Sequence, residues 1–246
     1  MSNALVIIPT YNEKENIVQI IEAVMSQPKD FDLLIVDDNS PDGTASMVKE
    51  LQNTYNTPKE KKLHLLQRAG KLGLGTAYIE GFHIGLRKGY DYILEMDADF
   101  SHDPRDLNRL YLACAENGFD LAVGSRYSSG VNVVNWPMKR VLMSYFASKY
   151  VRFVTGIPIH DTTAGFVCYR KEVLNKIPLD NIKFVGYAFQ IEMKFLTWKH
   201  KFKITEVPII FTDRTLGKSK MSVGIFKEGF LGVIQMAIRS WFTKYN

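Results

Sequence analysis

An α/β domain built on a mostly parallel sheet is the fold this sequence predicts. Short apolar runs of strand length recur through the first half without polar alternation, the pattern of strands buried on both faces. Each is followed by apolar residues at helical spacing, and turn-forming residues cluster where the strands end. The chain has 246 residues, 46% of them hydrophobic, enough for one substantial core.

The first strand is predicted over residues 5–9, with Asn12 as a helix cap and a helix from Glu15 carried by Ile17, Ile20, Ile21 and Val24. Residues 31–36 form the next strand. The turn-rich stretch 37–44 then opens a helix through Val48 and Leu51. Further strands are expected at 63–67, 92–96 and 121–124, with helices at 75–88 and 104–117 between them. No internal repeat, low-complexity segment or linker interrupts this order.

Charge is unevenly spread although the net value is only +5. Residues 1–120 are acidic overall, whereas 121–160 carry Arg126, Lys139, Arg140, Lys149 and Arg152 and no acid. Residues 214–246 hold six basic residues against Glu228 alone. Such a division suits two jobs, a cation with its ligand on one side and an anionic partner or membrane surface on the other; ordinary surface charge is the plainer alternative. Cys114 and Cys168 have no metal-ligand spacing and fit free buried thiols of a reducing compartment. The N-terminal apolar run is only five residues long before Pro9, a strand and not a signal peptide, so a cytoplasmic location is expected.

In parallel sheets ligands bind beyond the carboxyl ends of the strands. The loops there are rich in chemistry: Pro9, Tyr11, Asn12 and Glu13 after the first strand, Asp37 and Asp38 after the second, Arg68 and Lys71 after the third, and Asp97-Ala98-Asp99 after the fourth. Side chains at i and i+2 of a strand face one way, so Asp97 and Asp99 can converge on a hard divalent cation, although a solvated turn uses the same residues. No G-x-G-x-x-G follows the first strand, which argues against a dinucleotide enzyme.

Several ordered blocks carry a resemblance. They are Thr10-Tyr11-Asn12-Glu13, Val36 to Thr44, Gly70 to Ala77, Met96-Asp97-Ala98-Asp99-Phe100-Ser101-His102, Gly124-Ser125-Arg126-Tyr127, Asp161 to Phe166, Gly186 to Glu192 and Arg214 to Lys220. Together they resemble family 2 glycosyltransferases of three-layer GT-A fold, and within them the polyprenyl-phosphate (dolichyl-phosphate) mannose synthases. The resemblance covers residues 4 to about 225. It implies a domain over 1–212 followed by an acceptor loop and an amphipathic helical segment over 213–246. It also implies inverting transfer of mannose from GDP-mannose to a polyprenyl monophosphate. Pro9, Tyr11, Glu13, Asp37, Asp38 and Lys71 would bind the nucleotide sugar together with Asp97, Ala98 and Asp99. Mg²⁺ or Mn²⁺ would be held by Asp97, Asp99 and Ser101. Arg126, Arg140, Arg214, Ser219 and Lys220 would take the acceptor phosphate, with Asp99, Arg126, Arg214 and Lys220 central to catalysis. Ser219 serves equally as a cap for a helix beginning near Val223.

A phosphate acceptor is already largely dianionic at neutral pH and needs no general base. A hydroxyl acceptor would need one, for which Glu192 is available; a buried structural anchor is the other reading of Glu192. UDP-glucose or another nucleotide sugar remains an alternative donor, and a sugar-nucleotide-binding subunit is the non-enzymatic alternative. The mix of Trp136, Phe146, Tyr150 and Phe153 with Lys139, Lys149 and Arg152, and a C-terminal stretch too short to span a bilayer, suit peripheral attachment to the cytoplasmic face of a membrane. A core helix with a basic outer face fits the same residues. A small membrane-anchoring subunit is a further partner the resemblance allows, and no nucleic acid is expected. The basic stretch 216–221 reads as a mobile loop.

Overall fold

A computed structural model describes residues 2–214, 223–243 and 245, without the side chains of Tyr187 and residues 223–228. Seven strands form one sheet in the order β3-β2-β1-β4-β7-β5-β8. These are β1 (Ala4–Thr10), β2 (Asp32–Asp37), β3 (Leu63–Gln67), β4 (Tyr92–Glu95), β5 (Leu121–Ser125), β7 (Val167–Arg170) and β8 (Ile204–Pro208). All pair in parallel except β7, which lies antiparallel between β4 and β5. Two short strands, β6 (Val133–Val134) and β9 (Phe211–Thr212), make a separate parallel ribbon.

Continuous apolar strands sort their side chains by period two. Ala4, Val6 and Ile8 of β1 enter one core with α1 (Ile17–Met25), α2 (Thr44–Tyr55) and α4 (Asp106–Ala115). Leu5 and Ile7 enter the other with α3 (Leu74–Lys88), α6 (Lys171–Lys176) and α7 (Tyr187–Lys199). Helices on both faces make the three layers. Helix α3 comes unusually close to the sheet because it carries glycines: a Cβ on Gly81 would lie 2.8 Å from the Ile7 side chain. A third cluster joins α5 (Met138–Thr155), α7 and α8 (Val223–Phe242) through Val151, Ile191, Phe195, Val233 and Met236.

Two local expectations change. Asn12 does not cap α1; it adopts the left-handed conformation (φ 55°), and Asn16 takes the cap position after a turn closed on the Glu13 carbonyl. The chain must reverse at the end of β1, and asparagine tolerates that conformation. Helix α4 is shorter at both ends than 104–117, and its later start reflects the turn through Asp103 and Pro104 that precedes it. Among the described residues no helix is long and apolar enough to cross a membrane.

Candidate active site

The carboxyl ends of β1, β2, β4 and β5 open into one cavity of about 1070 Å³. Pro9, Tyr11, Glu13, Asp38 and Lys71 line one end, Asp97, Ala98, Asp99, His102 and Arg214 the middle, and Arg126, Trp136 and Arg140 the far side. From there an apolar arm continues between α5, α7 and α8 along Met143, Phe146, Tyr150, Val151, Ile191, Phe230 and Val233.

At the first end, Asp38 is fixed by Arg68, whose Nε donates to Oδ1 at 2.6 Å. Arg68 is itself buried and spreads its other donors over Thr76, Glu80 and the Gly73 carbonyl. A preset carboxylate of this kind can accept hydrogen bonds from a base or ribose without further ordering. The Lys71 ammonium sits 5.1 Å from the Tyr11 ring centre. The expectation for Asp37 is corrected. Fully buried, it accepts from Thr10 Oγ1 (3.0 Å), Ser40 N (2.9 Å) and Ser40 Oγ (2.6 Å), and it is not on the cavity wall. The last strand residue of β2 turns inward and ties off the loop, leaving Asp38 to face the ligand space.

In the middle, Asp97 opens to the cavity at the bottom of the recess. Burial and the neighbouring charge of Asp99 push its pKa upward. Asp99 moves the other way: burial opposes its ionisation, but hydrogen bonding from Ser101 and the Arg214 charge outweigh that. The Ser101 amide donates to Asp99 Oδ1 at 3.1 Å. The buried Ser101 hydroxyl accepts from no partner among the described residues. Two crowded hard oxygen donors and a spare hydroxyl oxygen fit a divalent cation, which would relieve the repulsion that raises Asp97. Among the described residues no third acidic, histidine or cysteine side chain completes the cluster, so substrate oxygens or water would fill the remaining positions.

His102 supports this loop. Its ring stacks on Phe166 at 4.7 Å, and its Nδ1 accepts from the Asp97 amide at 3.2 Å. Burial pushes its pKa down to about 4, so it is neutral with the proton on Nε2.

Across the cavity, Arg126 is pinned by fully buried Asp161. Its backbone N–H and Nε donate to Oδ2 (3.0 and 2.7 Å), and Nη2 donates to Oδ1 at 2.6 Å and to Thr163 Oγ1 at 2.8 Å. Burial would raise Asp161, but the Arg126 guanidinium overrides it and holds the carboxyl low. Arg140 Nη1 grips both oxygens of Asp213 (2.8 and 2.9 Å), and its guanidinium lies 4.1 Å above Trp136. Arg214 Nη2 lies 2.9 Å from Asp99 Oδ2. Ser219, Lys220 and the stretch 216–221 lie outside the described residues.

Glu192 resolves as a structural anchor. Its Oε2 accepts the amides of Lys183 and Phe184 (2.9 and 3.1 Å), and it does not line the cavity. Glu95 is fully buried and accepts from Gln190 Nε2 at 2.6 Å, while Lys194 Nζ donates to Gln190 Oε1 (3.1 Å) and to the Ala164 carbonyl (2.6 Å). Sequence reasoning passed over this network, and over Asp161 and Trp136 as partners of the arginines. A lysine at 194 among apolar helix residues was the available signal, since an unpaired lysine is almost never buried.

The model of Glycosyl transferase family 2 matches residues 5–178. Polyprenol monophosphomannose synthase of Mycolicibacterium smegmatis is 46% identical over 235 residues, which is 96% of this chain and 87% of that protein. Undecaprenyl-phosphate mannosyltransferase of Micrococcus luteus is 42% identical over 234 residues, covering 95% and 93%. Among solved structures, glucosyl-3-phosphoglycerate synthase from Mycobacterium tuberculosis, in complex with Mn²⁺, UDP and glucosyl-3-phosphoglycerate, superposes with a TM-score of 0.65 at 15% identity, covering 96% of this chain and 79% of that one. At that identity the likeness is one of fold.

Proposed function

The chain belongs to glycosyl transferase family 2 and is a glycosyltransferase, and from that premise we propose that it moves mannose from GDP-mannose to a polyprenyl monophosphate with inversion at the anomeric carbon. One observation carries the reading: a single cavity joins the Asp97 and Asp99 carboxylates to Arg126, Arg140 and Arg214 and then continues as an apolar arm. A donor diphosphate, an acceptor phosphate and an isoprenoid chain need those three surroundings in that order. The names of two relatives, a polyprenol monophosphomannose synthase and an undecaprenyl-phosphate mannosyltransferase, support it.

Asp97 and Asp99, with Ser101, would hold Mg²⁺ or Mn²⁺, which when bound supplies charge neutralisation at the departing nucleotide. The other work falls to side chains. Tyr11, Glu13, Asp38 and Lys71 hold the nucleoside end, and the arginines place the acceptor phosphate in line with the anomeric carbon. The acceptor oxygen is already anionic at neutral pH, so no base must take a proton from it. A hydroxyl acceptor loses its base candidate, because Glu192 is committed to two backbone amides.

Peripheral attachment to the cytoplasmic face of a membrane belongs to the same proposal, and exposed apolar side chains support a membrane contact. Exposed Met138, Phe146 and Phe153 on α5, and Trp241 and Phe242 on α8, flank the arm. The test is radiolabel transfer from GDP-mannose into an organic-extractable product, using purified protein, short polyprenyl phosphate and Mg²⁺. Labelled lipid that disappears on chelation supports the proposal. Label from UDP-glucose instead overturns the donor, and no lipid product from either overturns the acceptor.

A further inference from the structure

The dipeptide Asp213-Arg214 straddles the two halves of the cavity. Asp213 faces the acceptor side, where Arg140 holds it through both oxygens. Arg214 reaches the other way and lies on Asp99 Oδ2. The backbone between is fixed, since the Thr212 amide donates to the Ser101 carbonyl (3.3 Å) and the Asp213 amide to that of Val134 (3.0 Å). Arg214 is thus tethered beside the loop that carries Asp97, Asp99 and Ser101. Of the two Asp99 oxygens, one serves the loop's own amide and the other meets the guanidinium.

A divalent cation entering here brings two positive charges against that guanidinium in a recess where water screens poorly. We infer that Arg214 is a positioning residue with two stations. Without the cation it neutralises Asp99. Arrival of the cation turns the guanidinium away, toward Arg140 and the acceptor phosphate. Loading of cation and nucleotide thereby completes the acceptor site, and the acceptor phosphate binds strongly only after them. The inference rests on the reading of Asp97 and Asp99 as cation ligands, and by linkage the acceptor must in turn tighten cation binding.

The test is Mn²⁺ titration of the full chain without nucleotide, followed by the electron paramagnetic resonance signal of free Mn²⁺. Arg214→Gln should bind Mn²⁺ roughly tenfold more tightly than the native protein, the scale of an ordinary coupling between sites. Arg140→Gln removes a cation from the same cavity that is paired to Asp213, and should leave Mn²⁺ affinity within about twofold. In a second arm, farnesyl phosphate binding should tighten several-fold on adding Mn²⁺ and GDP, and Arg214→Gln should lose that dependence. Unchanged or weaker Mn²⁺ binding by Arg214→Gln overturns the inference. Equal tightening by Arg140→Gln overturns it too, because net charge would then suffice. No Mn²⁺ uptake by the native protein, even with GDP, overturns the cation reading itself.

Discussion

Replacing Asp161 by Asn leaves a bulky, hydrogen-bonding side chain but removes the charge that faces Arg126. Asp161 is wholly buried and Arg126 is 9% exposed at its side chain, so solvent cannot replace the lost partner. Three donors from Arg126 converge on this carboxylate, and each hydrogen bond to a charged group is worth about 1.5–3 kcal/mol. They are not additive. The governing quantity is the cost of breaking a buried ion pair by removing one partner, about 3–5 kcal/mol. For a domain of this size each kcal/mol lowers Tm by about 2–4 °C, so Asp161→Asn should melt roughly 6–20 °C lower in differential scanning calorimetry. The pH dependence has a definite sign. The Asp161 carboxyl is held below its ordinary value of 3.8, so its contribution is present above that pH and is lost as pH falls through the depressed value. Asp161→Asn should therefore flatten the acid limb of the stability curve. A Tm within 2 °C of the native protein, by the same scale, or an unchanged acid limb, would refute the reasoning.

Glu192→Gln should keep kcat within about threefold and lose about 1–2 kcal/mol of stability, since only a loop anchor is weakened; a hundredfold fall in steady-state kcat would reinstate a base role. His64, pushed down to about 4 by burial and by Lys88 and Lys61, is neutral when folded. Stability should fall as pH drops from 6.5 toward 4, and His64→Gln should remove about 1–2 kcal/mol of that fall after solvent screening, measured by urea unfolding. An unaltered slope would show that His64 charges as easily folded as unfolded. Gly81→Ala gains about 0.5–1 kcal/mol of helix propensity, but its methyl meets two methyls of Ile7 within 2.9 Å. Overpacking at about 1–3 kcal/mol should win, and a higher Tm would mean that α3 shifts freely.

Much of the catalytic end was legible because it follows strand by strand. A strand ends, its loop turns, and residues two apart share a face, which was enough to bring Tyr11, Asp38, Asp97 and Asp99 to one edge. The same reasoning failed for Asp37, because adjacent positions point to opposite sides and only the packing of Thr10 and Ser40 decides which of Asp37 and Asp38 looks inward. It also left Glu192 open, since a carboxylate on a helix reads alike whether it meets substrate or two amides 8 and 9 residues away.

The sequence by itself determined the doubly covered sheet, the order of its early elements and the acidic edge, because each depends on local period and turn chemistry. Only the tertiary structure decided how the arginines are held. Arg126 and Asp161 are 35 residues apart, and Arg140 and Asp213 are 73 apart. Antiparallel β7, inserted between β4 and β5, was equally hidden, since a run as short as Val167–Arg170 carries no direction. Ion pairs and strand pairings across such separations have no periodic trace. They exist because folding removes water from charges and edges that must then find one another.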